Sequence, residues 1–238
     1  MTFQYWNYSI NNMKTQFEKE TAHQQGNYIY MLVGLLALII IGPALSENYV
    51  TSSRIITQLA FSGAMFVGIW SLQIDRFWFR LGLGFIFTSI MLSIINYFID
   101  SKLIFFTGLA TSLIFLFFSI YIAIKNILFS GKITANKIVG SLCIYLLIGV
   151  IWGLIYILIS VIFPEAFPLL EHSNRWDYLY FSFVTLTTLG YGDITPSLPL
   201  VQSLAYLEAI CGQFYLAILV SSLVGAYLTD HNQNMDSE

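Results

Sequence analysis

The residues whose types and spacing could do chemistry lie in one short segment, 187–193, with the sequence Thr-Thr-Leu-Gly-Tyr-Gly-Asp. Two glycines one residue apart, Gly190 and Gly192, allow backbone dihedrals that residues with side chains resist. A backbone in those dihedrals can aim successive carbonyl oxygens to one side, and Thr188 can add a hydroxyl oxygen at one end. Such oxygens can replace the water shell of a dehydrated cation. The segment therefore predicts a cation site built from main-chain oxygens.

Residues 188–192 resemble the T-x-G-Y-G selectivity filter of the potassium channel superfamily. A glycine-rich turn between two membrane helices would explain the glycines alone. It would not explain the two threonines, the aspartate or the pore-helix-like segment upstream, so the filter interpretation is favoured. The resemblance implies that Gly192 completes the filter and that K⁺ is bound by the carbonyl oxygens of Thr188, Leu189, Gly190 and Tyr191. It implies no cofactor other than these K⁺ ions.

Three residues are expected to support the filter: Thr187, Tyr180 and Asp193. Asp193 has two interpretations, a lure for cations at the outer mouth or a hydrogen-bond acceptor for an aromatic residue of the pore helix. Some members of the family have Trp at that aromatic position, whereas only Tyr180 could donate here, and the hydrogen bond is favoured over the lure. Val184 stands where some members have glutamate, so a carboxyl pair with Asp193 is not expected.

The composition predicts the elements that must hold this segment. The chain has 238 residues, of which 57% are hydrophobic and 10% charged, far below the quarter or so that is charged in soluble domains. Apolar blocks long enough to cross a bilayer occur at 28–45, 55–74, 81–99, 103–124, 138–163 and 199–229. We therefore predict an all-α membrane protein with six transmembrane helices plus a re-entrant pore helix and filter loop.

These blocks divide the chain into five predicted regions. They are a polar segment, interfacial or disordered, at 1–27; a four-helix transmembrane domain at 28–124; a cytoplasmic linker at 125–137; a pore domain at 138–229; and a short cytoplasmic tail at 230–238. The linker could couple the first four helices to the pore or lie on anionic lipid, and the sequence does not separate these possibilities.

Basic residues in the short loops predict the orientation. With the N-terminus inside, seven lie in cytoplasmic segments: Lys14, Lys19, Arg76, Arg80, Lys125, Lys132 and Lys137. Three lie outside: Arg54, Lys102 and Arg175. The count favours a multi-pass protein of the cell membrane with both termini cytoplasmic. Residues 29–41 have the length of a signal-peptide core, but the long polar leading segment, which carries Glu18 and Glu20, favours retention of this helix.

The pore domain is expected to contain an outer helix that Pro164 and Pro168 terminate. Ser173 and Asn174 are both plausible caps for a pore helix at 176–187. Its C-terminal end carries partial negative charge, which favours a cation beside it. An inner helix beginning at Pro199 completes the domain.

The inner helix contains four residues to which the resemblance assigns roles. Gly212 stands where the family often has a hinge glycine, although close helix packing would also explain a small residue there; the hinge is favoured. Gln213, Leu216 and Val220 share one face at three- and four-residue spacing. In the family that face lines the water-filled cavity.

Glu208 is a buried acid within the same helix. An ionisable group at membrane depth is a functional hypothesis by default. At about 100° per residue it lies about 140° from Gln213, so it should face the pore helix rather than the cavity. A structural acceptor for hydroxyl or backbone donors is therefore favoured over a proton-sensing gate.

Between Leu81 and Ile124 the only basic residue is Lys102, which argues against a voltage sensor of the arginine-helix type. We predict a potassium-selective homotetramer that conducts K⁺ passively and is not an enzyme. The expected partners are further copies of the chain, membrane lipid and an unidentified regulatory subunit or ligand, but not nucleic acid. A four-repeat transporter, a weakly selective cation channel and a non-conducting or modulatory membrane subunit remain alternatives.

Overall fold

The computed structural model describes residues 28–47, 61–63, 66–67, 76–99, 101–128, 135–170 and 174–235. We number its long helices in chain order: α1 (Tyr28–Glu47), α2 (Arg76–Ile99), α3 (Lys102–Leu128), α4 (Ala135–Ile162), α5 (Arg175–Leu186) and α6 (Pro199–Met235). The predicted N-terminal segment 1–27 lies outside the described residues. So does most of the predicted second helix at 55–74, of which residues 61–63 and 66–67 are described and helical.

Four helices in the described part of the chain are long and apolar enough to cross a membrane. The spans are Phe77–Asn96, Lys102–Lys125, Asn136–Ile162 and Pro199–Gly225. A shorter apolar helix covers Tyr28–Ala44. Together they make the described chain all-helical with several membrane spans, as the composition predicts for a multi-pass membrane protein.

Several helices extend beyond their predicted ends. Helix α2 begins at Arg76 rather than residue 81, and α6 ends at Met235 rather than residue 229. Residues 125–128 and 135–137, predicted as linker, are the last and first turns of α3 and α4. Hydropathy marks where a helix leaves the hydrocarbon, whereas the helical backbone can continue through polar residues beyond that point. None of these extensions contains Gly or Pro.

Helix α4 is the centre of the described fold, because α1, α3, α5 and α6 all pack against it, while α2 packs on α3. Small residues allow the closest of these approaches. A Cβ on Gly149 would lie 2.5 Å from the Phe183 ring, and one on Gly153 would lie 3.0 Å from Leu179, both on α5. Helix α4, predicted as the outer helix, is therefore in direct contact with α5, predicted as the pore helix.

Two proline-led 3₁₀ turns, Pro164–Ala166 and Pro168–Leu170, end the outer helix as predicted. The pore helix α5 then begins after Asn174, which forms a capping box with Asp177. The backbone amide of Asn174 donates to the Asp177 carboxylate at 2.9 Å. Asn174 is thus the cap, and the alternative, Ser173, lies outside the described residues.

Candidate functional site

The segment after the pore helix has an unusual backbone. Thr188, Gly190 and Gly192 have φ of 58°, 60° and 78°, so every second residue is left-handed. Alternation of left-handed and ordinary residues can turn successive peptide groups the same way, so that their N–H groups face one side, as in anion-binding backbone nests, and their carbonyls face the other. Glycine adopts this conformation freely. Gly190 and Gly192 therefore stand at positions where the backbone is left-handed, the conformation for which the sequence analysis expected glycine.

The hydrogen bonds of this segment set the direction of its carbonyls. The amides of Leu189 and Gly190 both donate to the Val184 carbonyl, at 2.9 and 3.3 Å, and the Thr188 amide donates to Thr185 at 2.9 Å. In a planar trans peptide the carbonyl points opposite to the next amide. The carbonyls of Thr188 and Leu189 therefore point away from the pore helix, toward open space.

Thr188 is the one described residue other than glycine with positive φ. Left-handed backbone at a β-branched residue is a genuine outlier, and outliers of this kind persist at functional sites where the surroundings hold them. The Thr188 hydroxyl accepts a 3.4 Å hydrogen bond from the Gln213 side-chain amide on the inner helix. The preceding Thr187 hydroxyl donates to the Phe183 carbonyl at 2.6 Å and ends the helix.

Tyr180 and Asp193 join the pore helix to the far end of the segment. The Tyr180 hydroxyl donates to the Asp193 carboxylate at 2.6 Å, and the Ile194 amide donates to its other oxygen at 3.0 Å. The tyrosine hydrogen bond lowers the pKa of Asp193. The same bond raises the pKa of Tyr180 from 10.0 to about 12. The geometry is that of a brace behind the segment.

We expect Tyr180→Phe to lower flux near neutral pH. Because the pKa of Asp193 is lowered by the tyrosine hydrogen bond, that bond contributes stability above the ordinary pKa of the carboxyl and loses it as pH falls through the lowered pKa. The variant lacks the bond at every pH, so its flux in proteoliposomes should lie below that of the wild type at neutral pH, and the difference should vanish in acid. Tyr206→Phe, an exposed tyrosine on α6, is the matched control. Equal flux of wild type and Tyr180→Phe at neutral pH would show that the brace does not support the proposed filter.

The inner helix touches the pore helix at Gly212. A Cβ there would fall on the carbonyl oxygen of Leu186, the last residue of α5. The Tyr145 hydroxyl of α4 also donates to this carbonyl, at 3.4 Å. Helix α6 runs without interruption through Gly212. Close packing is thus a visible reason for this glycine, and the hinge stays a prediction.

The remaining predicted residues lie on the open side of the chain. Gln213 is exposed, Leu216 is half-buried and Val220 is 58% exposed. Leu189 and Tyr191 of the segment are 57% and 67% exposed. Apart from Leu216, these side chains are thus largely uncovered in the single chain.

Glu208 faces the pore helix, the direction that helical spacing indicates, and is completely buried. The Tyr156 hydroxyl of α4 donates to one carboxyl oxygen at 2.6 Å. The Ser182 hydroxyl of α5 lies 2.5 Å from the other. Sequence reasoning did not identify Tyr156 or Ser182. The available signal was a lone serine in a pore helix of bulky residues, on the helix that Glu208 was expected to face.

The described residues contain no group of three His, Cys, Asp or Glu side chains that could hold a metal ion.

Comparison with known proteins finds similarity in the part of the chain that contains this segment. Residues 141–229 match a family described as ion channels. An inward rectifier potassium channel, Kirbac3.1, of Paramagnetospirillum magnetotacticum is 31% identical over 84 residues, which is 35% of this chain and 27% of the relative. Two-pore potassium channel 2 of Arabidopsis thaliana is 34% identical over 104 residues, 44% of this chain and 22% of the relative.

A second Arabidopsis protein, two-pore potassium channel 5, is 41% identical over 59 residues, 25% of this chain and 14% of the relative. The chain thus spans about a quarter or less of the length of these relatives. No solved structure matches it significantly. The predicted relationship to potassium channels is confirmed, and these relatives are channels rather than enzymes, as predicted.

Proposed function

We propose that the chain is a subunit of a potassium-selective channel that conducts K⁺ passively. Its residues 141–229 match a family described as ion channels. One observation carries the proposal: the backbone is left-handed at Thr188, Gly190 and Gly192, and the amide hydrogen bonds to Val184 direct the carbonyls of Thr188 and Leu189 away from the pore helix. Rings of such carbonyls can replace the hydration shell of K⁺. The names of the relatives support K⁺ as the ion.

The proposed ion positions are formed by the carbonyl oxygens of residues 188–191, with the Thr188 hydroxyl at the inner end and Gly192 completing the filter. One chain supplies oxygens from one side only. A symmetric ring of copies would surround the ion, because rotation repeats the same oxygens about a common axis. We therefore propose a homotetramer in which each subunit contributes a quarter of the filter.

The exposed apolar surface of α6 supports assembly. Leu207, Ile210, Phe214 and Ile218 are between 44% and 66% exposed in the single chain. Lipid or a neighbouring subunit would cover these side chains. We propose six transmembrane helices with both termini cytoplasmic, in the cell membrane, on the strength of the basic-residue distribution. A regulatory subunit or ligand could act through the first four helices.

Gating would involve the inner helix. Gln213, Leu216 and Val220 would line the cavity below the filter, and a bend near Gly212 would open its lower end. Helix α3 begins at Lys102, and its other basic residue is Lys125 in the last turn. Voltage sensing by a helix of regularly spaced arginines is therefore not proposed.

The direct test is ion flux through the full chain reconstituted in liposomes. We expect uptake of Rb⁺ that Ba²⁺ blocks, and a reversal potential that favours K⁺ over Na⁺ at least about tenfold, equivalent to about 1.4 kcal/mol. Equal permeability to Na⁺ and K⁺ would indicate a weakly selective cation channel instead. No flux in protein that is folded and oligomeric would favour a non-conducting or modulatory subunit.

A further inference from the structure

Three buried oxygen-bearing side chains meet behind the pore helix, outside the ion path. They are Glu208 on α6, Ser182 on α5 and Tyr156 on α4, and all three are completely buried. Tyr156 lies 2.6 Å from one carboxyl oxygen of Glu208. Ser182 lies 2.5 Å from the other. Ser182 also lies 2.7 Å from the carbonyl oxygen of Gly149 on α4.

These three contacts need three protons. The Tyr156 and Ser182 hydroxyls carry one each, and a backbone carbonyl carries none. The Tyr156 hydroxyl donates its proton in the hydrogen bond to Glu208. The single proton of Ser182 can serve Glu208 or the Gly149 carbonyl, but not both. With an ionised Glu208, one of the two contacts of Ser182 would set lone pairs against lone pairs.

A proton on Glu208 resolves this conflict. The carboxyl group donates to the Ser182 oxygen, Ser182 donates to Gly149, and Tyr156 donates to the second carboxyl oxygen. Every donor then has an acceptor, which buried polar groups require. Among the described residues, the titratable groups that interact electrostatically with this acid are Tyr156 and Tyr145, which are both phenols of α4 and offer no positive charge. An ionised carboxylate without a cationic partner is costly to bury.

We propose that Glu208 is a proton-binding site, held as the neutral acid, whose proton fastens the inner helix to the pore helix through Ser182. The carboxyl group therefore acts as donor as well as acceptor. The same chain of hydrogen bonds continues to Gly149, so it joins α6, α5 and α4. Glu208 is a positioning residue, since it does not reach the ion path. This inference does not depend on the proposed channel function.

The test is infrared spectroscopy of the full chain at pH 7, comparing wild type with Glu208→Gln. We expect a carbonyl stretch of a protonated carboxyl group in the wild type that is lost in the variant. The matched control is Glu165→Gln, at an exposed acid in the turn after α4, which should leave that band unchanged. A wild-type spectrum in which Glu208 contributes only carboxylate bands would overturn the proposal.

Thermal stability and flux provide a second readout. An amide at position 208 retains an acceptor for Tyr156 and a donor for Ser182, so Glu208→Gln should stay within about 2 °C of the wild-type Tm and conduct normally. Glu208→Ala has neither group and should lower Tm by more than about 5 °C. Equal losses in the Gln and Ala variants would contradict the donor role. Protein that shows the infrared band without flux would support this site and overturn only the channel function.

Discussion

Gly190→Ala is expected to abolish flux of K⁺ and Rb⁺ while leaving the subunit folded. A Cβ at Gly190 meets nothing within 4 Å, so the substitution changes only the cost of its φ of 60°. Left-handed backbone costs an L-residue about 1–2 kcal/mol. Four copies that must adopt it in one filter would lose about 4–8 kcal/mol, which lowers the conducting population about a thousandfold or more. Rb⁺ uptake into proteoliposomes measures the loss.

The matched control for this substitution is Gly84→Ala on α2. A Cβ at Gly84 also meets nothing within 4 Å, but this glycine lies in a regular helix. Alanine is favoured in a helix, so both flux and Tm should be retained. If Gly190→Ala conducts as well as Gly84→Ala does, the path through residues 188–192 is wrong.

Gly212→Ala should destabilise the protein. Alanine gains about 1 kcal/mol in helix propensity, but its Cβ would fall on the Leu186 carbonyl, a backbone atom that cannot rotate away. Overpacking of this kind costs up to about 3 kcal/mol, so we expect a net loss of about 2 kcal/mol. For a chain of this size the loss corresponds to a Tm lower by about 4–8 °C. Flux should fall too, since Leu186 leads directly into the proposed filter.

The sign of this change separates the two interpretations of Gly212. If Gly212 served only as a hinge, Gly212→Ala would raise the Tm, because alanine stiffens the helix. Gly225→Ala is the control on the same helix, where a Cβ meets open space. We expect Gly225→Ala to keep or raise Tm. A Tm that rises equally in both variants would remove close packing as the reason for Gly212.

The backbone of the proposed filter segment was predictable because its physical demands are local. Left-handed dihedrals favour glycine, so Gly190 and Gly192 predict the left-handed backbone that is observed at both positions. The pore helix was predicted at 176–187 and observed at Arg175–Leu186, since a cap and an apolar run define it. Tyr180 was the one aromatic residue able to donate at its position, and it does donate to Asp193.

The contacts of Glu208 and Gly212 were not predictable to the same degree. Helical spacing gives the direction in which a side chain points from its own axis. Which residue it meets depends on the crossing angle and offset of the neighbouring helices. The packing of α4, α5 and α6 determines these contacts. It makes Ser182 and Tyr156 the partners of Glu208, and it places the Leu186 carbonyl against Gly212. Sequence spacing within one helix does not contain that information.

Electron cryo-microscopy of the assembled protein, prepared in K⁺ and again without it, tests the central claim most directly. We expect four copies about one axis, with a line of density in K⁺ that the carbonyl oxygens of residues 188–191 surround. That line should weaken when K⁺ is removed. Particles in which these segments lie far apart, with an empty axis in both preparations, would contradict the proposal that main-chain oxygens hold the ion.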